Sequence, residues 1–477
     1  MAVRTRIAPS PTGHPHIGTM YQAVLDKAYA LRFDGNFLIR IEDTDRARFV
    51  EGVEEELYEL LDWFGLSEDE SPRKEGKFSP YRQSERLEIY KKYALELIEK
   101  GHAYYCFCTK ERLDSVRKEC EANKIPPMYD KHCRNLTKEV VLSNLAKGLP
   151  YVIRMKIPEN QTIEVNDLLR GKIFFDSNTI DDQVLIKSDG FPTYHLAVVV
   201  DDHLMQISHV MRGPEWIPSF PKHKILYDYF GWEMPVFIHT PLITNMDGSK
   251  MSKRQGHTAV SWYKDQGYLP EAVINFMVLN GWSHPQGKEI FSYSEFCSLF
   301  DFKDLHGTLP KFDMQKLDWI NGEYIRNLTL QELYNRLIAF DSSFKELKKE
   351  KFLIVLSLIH ERLKRLNEVK DLIKYFYEAP TNLDEIKQLA TVESKKSYQD
   401  TKEFVLEVVK VLSRITDFTK ENIDTELHEL MGDLQIKPRE FFMPIRIIVS
   451  GTVATPPLSD VLEVLGRKET LKRLNSF

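Results

Sequence analysis

Arg6-Ile-Ala-Pro-Ser-Pro-Thr-Gly-His-Pro-His-Ile-Gly-Thr19, paired with Lys250-Met-Ser-Lys-Arg254 far downstream, decides the reading of this chain. Residues 3–8 read as a short buried strand. Pro9, Pro11 and Gly13 then break it. From 18 to 33 apolar residues recur at helical spacing, at Met20, Val24, Ala28 and Leu31. Residues 37–41 read as a second strand. Strand, loop, helix and strand in this order build a parallel sheet. The N-terminus of such a helix carries free backbone N–H groups and a positive dipole end, which suit a nucleotide phosphate. Gly18 lets a nucleotide approach the backbone closely, and His16 can donate to phosphate oxygens. Alone, His16 would read as a helix-start residue without a ligand.

The downstream segment follows a strand-like run at 238–244 and a strong turn signal, Asn245-Met-Asp-Gly248. Lys250, Lys253 and Arg254 then share a loop with Ser249 and Ser252. A flexible lysine can follow charge as it develops on a polyphosphate leaving group. Taken singly, such a loop is a solvated basic face. Together the two segments describe two sides of an ATP site.

A chain of 477 residues should form two to four domains. Its 42% hydrophobic and 29% charged residues are ordinary for a soluble protein. The start, Met-Ala-Val-Arg-Thr-Arg, has no apolar signal region, and no apolar run approaches the ~18 residues of a membrane span. Five cysteines, unevenly spaced, point to a reducing compartment. The net charge of −6 is unlike that of many nucleic-acid binders. A nucleic-acid partner would have to meet local basic patches, for which 250–254, 362–365 and 467–473 are candidates.

Residues 54–63 and 85–100 read as amphipathic helices. Residues 101–190 look like an insertion, with four of the five cysteines and the Pro126-Pro127 break. Strand-like runs follow at 151–157 and 172–175. Residues 191–245 return to the sheet, with 196–200 as a buried apolar strand. From about 323 the text is helical. Thr329-Leu-Gln-Glu332 is a capping-box pattern that opens a helix with Leu330, Leu333 and Leu337 on one face.

Arg40-Ile-Glu-Asp-Thr-Asp45, Tyr81-Arg-Gln-Ser84, Lys187-Ser-Asp-Gly-Phe-Pro-Thr-Tyr-His195 and Asp201-Asp-His203 stand between the two opening segments. In this order the motifs resemble those of class I aminoacyl-tRNA synthetases, most closely the bacterial glutamyl-tRNA synthetases. The resemblance runs through the whole chain. It is dense over 1–285 and looser beyond. It implies a multidomain α/β fold. A Rossmann-like catalytic domain would take 1–100 and 191–245. An inserted α/β domain at 101–190 would grip the tRNA acceptor end. A stem-contact region at 246–322 would carry the lysine loop, and an all-helical anticodon-binding part would fill 323–477. The implied activity joins L-glutamate to the 3′ end of tRNA(Glu) through a glutamyl-adenylate, with Mg²⁺ accompanying ATP. A cytoplasmic monomer without membrane contact is expected. Whether tRNA(Gln) is also charged stays open.

The resemblance implies catalytic roles for His16, Lys250 and Lys253, with Lys253 the foremost candidate. ATP contacts would come from Pro11, His16, Gly18 and Thr19 on one side and from Lys250, Ser252, Lys253 and Arg254 on the other. Glutamate presents two carboxylates and one ammonium, so two cations and one anion should meet it. Arg6, Glu42 and Arg212 each end or follow a strand, where ligands of open α/β sheets bind. The family places substrate contacts at the matching Arg6, Ala8, Ser10, Glu42, Tyr194 and Arg212. Val198 stands where relatives often carry Asn, which removes a polar contact.

Cys106, Cys108 and Cys133 match the spacing of a zinc element found in some members of the family. Its fourth ligand would fall on Asn135, which is no zinc ligand; His132 or Cys120 could substitute. The balance leans to a lost or weak site. Two rival readings remain. One is a shortened relative that glutamylates a tRNA nucleoside, against which length argues. The other is a catalytically dead RNA-binding paralogue, against which His16, Gly18, Lys250 and Lys253 argue.

Overall fold

The structure is a computed structural model and describes residues 2–241, 244–247, 249, 259–307 and 311–477. The chain divides into two compact units, Met1–Tyr263 with Val273–Met314, and Lys264–Ala272 with Gln315–Phe477.

In the first unit, β1 (Arg4–Ile7), α1 (Ile17–Arg32) and β2 (Asn36–Ile39) form the expected strand–helix–strand. β1 and β2 are parallel, with Arg6 opposite Leu38. Met20, Val24 and Ala28 bury α1 against them. Leu31 stays exposed in the last turn. Two further helices follow, α2 (Val53–Phe64) and α3 (Leu87–Glu99). The apolar face of α2 is Val53, Leu57, Leu60, Leu61 and Phe64, all buried.

Next come β3 (Ala103–Cys106), α4 (Lys110–Ala122), α5 (Lys138–Ala146), β4 (Val152–Met155), β5 (Thr162–Asp167), β6 (Gly171–Asp176) and β7 (Val184–Ile186). β3, β4 and β7 form a three-stranded antiparallel sheet. β5 and β6 are a hairpin that belongs to a different sheet. They adjoin β8 (His209–Arg212) and β9 (Val236–His239) in the order β6-β5-β9-β8. β8 and β9 are parallel, and β5 joins β9 in parallel through Asp167 and Phe237. The entry to β8 is tied to β1, since Ser208 N donates to Arg4 O at 2.9 Å.

Residues 196–200, expected as a strand, are the middle of a helix, α6 (Tyr194–Leu204). Leu196, Ala197, Val198, Val199 and Val200 are all buried in the core. A run buried on every side has no polar face, so its period cannot separate helix from strand. The helix also places Asp201 and Asp202 inward, where they meet arginines. After β8, α7 (Phe220–Phe230) leads to β9.

The second unit is helical, with no strand from 315 to 477. The capping box forms at Thr329 and Glu332, opening a helix at Leu330–Phe340 with Leu333 and Leu337 buried. Further helices follow at Lys349–Ile359, Val369–Tyr377 and Tyr398–Arg414. Phe404, Val408, Phe441 and Ile445 centre the apolar core of this unit. Among the described residues no helix is long and apolar enough to cross a membrane.

Candidate active site

The ends of β1, β2 and β8 open onto one cleft of about 1180 Å³. That exceeds the ~1,000 Å³ upper range of ordinary small-ligand pockets and leaves room for two ligands. Arg6, Ala8, Ser10, Glu42, Tyr194 and Arg212 all line it, and so do His16, Gly18 and Thr19. Pro11 lines a smaller adjoining cavity of about 200 Å³ that shares Ser10, Thr12, His16 and Thr19 with the cleft. Lys250, Ser252, Lys253 and Arg254 lie outside the described residues. The described chain resumes at Ala259, whose backbone forms an isolated antiparallel bridge with His16.

His16 is the N-cap of α1, where its Nδ1 accepts from Thr19 N at 3.3 Å. Gly18 serves that ring. A methyl at Gly18 would meet His16 Cε1 and Nδ1 at 3.1 Å. The first two loops are stitched together beneath the cleft, because Glu42 N donates to Pro9 O at 3.0 Å and Ser10 Oγ donates to Glu42 O at 2.9 Å.

Below these loops lies a buried ion network. Arg6 grips both oxygens of Asp202, at 3.1 and 3.3 Å. The Arg40 side chain, fully buried, reaches Asp202 at 2.7 Å, Glu42 at 3.1 Å and Asp201 at 3.6 Å. Arg86 reaches Asp201 at 2.8 Å, and Gln83 and Tyr90 also donate to Asp201. Three guanidiniums therefore face three carboxylates. Breaking one such buried pair typically costs about 3–5 kcal/mol, because the partner charge stays behind. Burial pushes the Glu42 carboxyl up to about 7, against the pull of Arg40 and Arg6.

Arg212 differs from those three. Among the described residues no carboxylate pairs with it; its hydrogen-bond partners are His239, His223 and Tyr194. Its Nη2 is buried without a hydrogen-bond partner. A buried guanidinium that no anion neutralises is costly unless a ligand supplies the anion. The Tyr194 ring packs against Trp216 with centroids 4.3 Å apart, and both line the cleft. Val198 lies in the core rather than on the cleft wall.

Cys106, Cys108 and Cys133 come together at the base of β3, with their sulfurs within 4.8 Å of one another. The fourth group there is Tyr129. Its hydroxyl lies 3.3 Å from Cys106 Sγ and 3.4 Å from Cys108 Sγ, and accepts from Cys133 N at 2.9 Å. His132 is exposed. Its carboxyl-side neighbour Cys133 is buried in a small satellite core with Tyr104, Cys106 and Tyr129. Tyr129 sits four residues before Cys133, a position that a pattern of Cys and His alone does not reveal. Asp202, Arg40 and Trp216 were likewise missed as parts of the site. Two of them stand in quoted motifs, yet only the fold shows that they meet Arg6 and Glu42.

Residues 2–319 match the family described as tRNA synthetases class I (E and Q), catalytic domain, and residues 329–477 match an anticodon binding domain. The architecture and cleft are accordingly those of a class I tRNA synthetase. The glutamate–tRNA ligase of Fusobacterium nucleatum is 43% identical, with 100% of this chain and 97% of the relative covered. That of Gloeobacter violaceus is 44% identical over 98% of this chain and 94% of its own length. The crystal structure of a glutamate tRNA ligase from Elizabethkingia meningosepticum, in complex with its amino acid, superposes with a TM-score of 0.92 at 36% identity, covering 100% and 99% of the two chains. The chain belongs to the glutamate–tRNA ligase family.

Proposed function

We propose that the chain activates L-glutamate with ATP and transfers it to the 3′ end of tRNA(Glu). The observation that carries this reading is the meeting of Arg212, Glu42 and the N-terminus of α1 on one cleft. The glutamate α-carboxylate attacks the α-phosphorus of ATP. A bond forms to that phosphorus and pyrophosphate leaves. The terminal ribose hydroxyl of tRNA then attacks the acyl carbonyl, and AMP leaves. Neither step needs a side-chain nucleophile, so positioning and electrostatics supply the rate.

Arg212 takes the side-chain carboxylate, which keeps its charge throughout and suits a cation without a counter-ion. Arg6, already neutralised by Asp202, serves the reacting carboxylate, whose charge disappears on adenylation. Glu42 receives the ammonium. Ala8, Ser10 and Tyr194 complete the amino-acid wall. Pro11, His16, Gly18 and Thr19 meet ATP at the α1 N-terminus, with Mg²⁺ on its phosphates. Lys250, Ser252, Lys253 and Arg254 act from the opposite side, with Lys253 following the leaving pyrophosphate. Residues 101–190 grip the acceptor end and the helical unit reads the anticodon.

Three thiols and one phenol oxygen form a donor set that fits zinc. Cys106, Cys108, Cys133 and Tyr129 would hold the ion as a structural cross-link between β3 and the segment before α5. Against a lost or weak site, Tyr129 offers a fourth donor within reach of the sulfurs of Cys106 and Cys108.

Aminoacylation of tRNA(Glu) and tRNA(Gln) transcripts with radiolabelled glutamate tests the assignment. Stable acylation of tRNA(Glu), with AMP release matching it, is expected. Glutamate recovered on an internal nuclease fragment rather than on the 3′-terminal adenosine would instead establish the nucleoside-modifying alternative.

A further inference from the structure

Arg212 is held on both flanks by acceptors that carry no charge. Its Nε–H donates to His239 Nε2 at 2.9 Å. From Nη1 it donates to His223 Nδ1 at 3.1 Å and to Tyr194 Oη at 3.4 Å. An arginine only donates, so both imidazole nitrogens must accept, and both tautomers follow. His239 carries its proton on Nδ1 and donates it to Asp167 Oδ2 at 2.7 Å. His223 carries its proton on Nε2 and donates it to His195 Nδ1 at 3.1 Å.

Asp167 is itself held by hydrogen bonds on both oxygens. Its Oδ2 accepts from His239 N at 2.9 Å, and its Oδ1 from Leu169 N and Arg170 N at 3.0 and 2.9 Å. The parts come from four elements. Asp167 ends β5, His239 ends β9, Arg212 ends β8 opposite His239, and His223 lies on α7. Asp167, His223 and His239 are each buried. Buried polar side chains this fully connected fix a geometry rather than merely fill space.

We propose that Asp167, His239 and His223 are positioning residues for glutamate selection: they lock Arg212 with neutral acceptors and so leave its full charge, and its Nη2 edge, for the substrate's side-chain carboxylate. This rests on the assignment of Arg212 to that carboxylate. Carboxylate partners would fix the guanidinium equally well but would cancel its charge, as Asp202 does for Arg6. A cancelled guanidinium separates glutamate from its amide poorly, since an amide oxygen also accepts hydrogen bonds. An uncancelled one gains Coulombic attraction only from the acid. Burial, with Arg212, His195, Lys222 and His239 around it, holds the His223 ring well below the usual imidazole range. Burial also lowers His239, outweighing its bond to Asp167, with Arg212 and Arg170 adding to the effect. Both rings therefore stay acceptors at neutral pH.

The experiment is steady-state aminoacylation by the full chain, with KM for glutamate and for ATP measured separately alongside thermal melting. His239→Phe and His223→Phe should raise the glutamate KM by ~10-fold or more while the ATP KM moves less than ~2-fold. His239→Gln and His223→Asn keep a neutral acceptor near Nε2 and Nδ1, and should return the glutamate KM to within ~3-fold of the parent. Asp167→Asn frees the wrong tautomer of His239, which turns a donor toward Arg212, and should also raise the glutamate KM alone. Arg212→Gln separates the two levels of inference. An unchanged glutamate KM in that variant removes Arg212 from the substrate. A raised KM there, with no effect in His239→Phe, His223→Phe or Asp167→Asn, overturns the positioning role only. Equal losses in His239→Phe and His239→Gln, both folded, also overturn it, because packing rather than the acceptor would then matter. If the Phe variants do not fold, Asp167→Asn decides by itself: a raised glutamate KM with an unmoved ATP KM supports the role, and an unmoved glutamate KM overturns it.

Discussion

Glu42 is the residue whose chemistry is most open to measurement. Burial lifts its carboxyl to about 7, despite Arg40 and Arg6. In its proposed role the group must be ionised to receive the substrate ammonium. As pH rises through about 7, the free enzyme gains the charged form, so kcat/KM for glutamate should climb and then level. Glu42→Gln should flatten that rise and lower the plateau by ~10-fold or more. A rise that survives in Glu42→Gln would assign it to another group. Stability carries the opposite sign. The folded carboxyl holds its proton over a window, between an ordinary value of 4.5 and about 7, in which the unfolded one has lost it. Stability therefore declines as pH climbs through that window. The ammonium of bound glutamate would favour the ionised carboxyl, so glutamate should raise the melting temperature more at pH 8 than at pH 6.

At the scale of elements, α1 and the cysteine-bearing segment each combine structure with function. His16 caps α1 and also lines the cleft. His16→Asn keeps a strong N-cap. It should leave the melting temperature within a few degrees of the parent yet slow adenylate formation by ~10²-fold, the scale of losing one preorganised donor. Unimpaired adenylate formation in that variant would reduce His16 to a cap. For the cysteine segment, elemental analysis should find about one zinc per chain, retained through dialysis, and Tyr129→Phe should lower retention. A chain that folds and charges tRNA with no zinc would remove the metal from the account. The first strand–helix–strand was legible in the sequence because its signals are local: proline and glycine punctuation, then apolar residues at helical spacing. So was the capping box at Thr329. The 196–200 run was not legible, because five apolar residues in a row carry no period, and only the demand that Asp201 and Asp202 reach Arg86, Arg40 and Arg6 shows it to be a helix. The pairing of β5 with β9 was hidden for a related reason. Asp167 and Phe237 meet across 70 residues of chain, and nothing local announces a partner so distant.

For the whole molecule, site and specificity are spread along the chain. Every described residue that lines the cleft precedes 242, whereas the anticodon-binding match covers 329–477. The sequence placed Arg6, Glu42 and Arg212 at strand ends and so brought them to one face, but it could not show that Arg6 is neutralised and Arg212 is not. That difference arises from Asp202 on α6 and His239 on β9, residues 196 and 27 positions away from their partners. A chain organised in this way can let its largest ligand assemble the small-molecule site. The proposed contacts of tRNA with 101–190 and with the helical unit would release binding energy far from the reacting atoms. Part of that energy can align the ATP phosphates between the α1 N-terminus and the lysine loop, as induced fit requires. Glutamate-dependent pyrophosphate exchange should therefore be weak without tRNA and rise at least ~10-fold on its addition. Anticodon-substituted tRNA(Glu) should raise the concentration needed for that stimulation. Periodate-oxidised tRNA, which cannot accept the amino acid, should stimulate exchange as well as intact tRNA does, because alignment rather than acceptance is the cause. Exchange that is fast without tRNA, or that responds only to acceptor-competent tRNA, would show that the cleft is complete before the tRNA arrives or that transfer itself drives the effect.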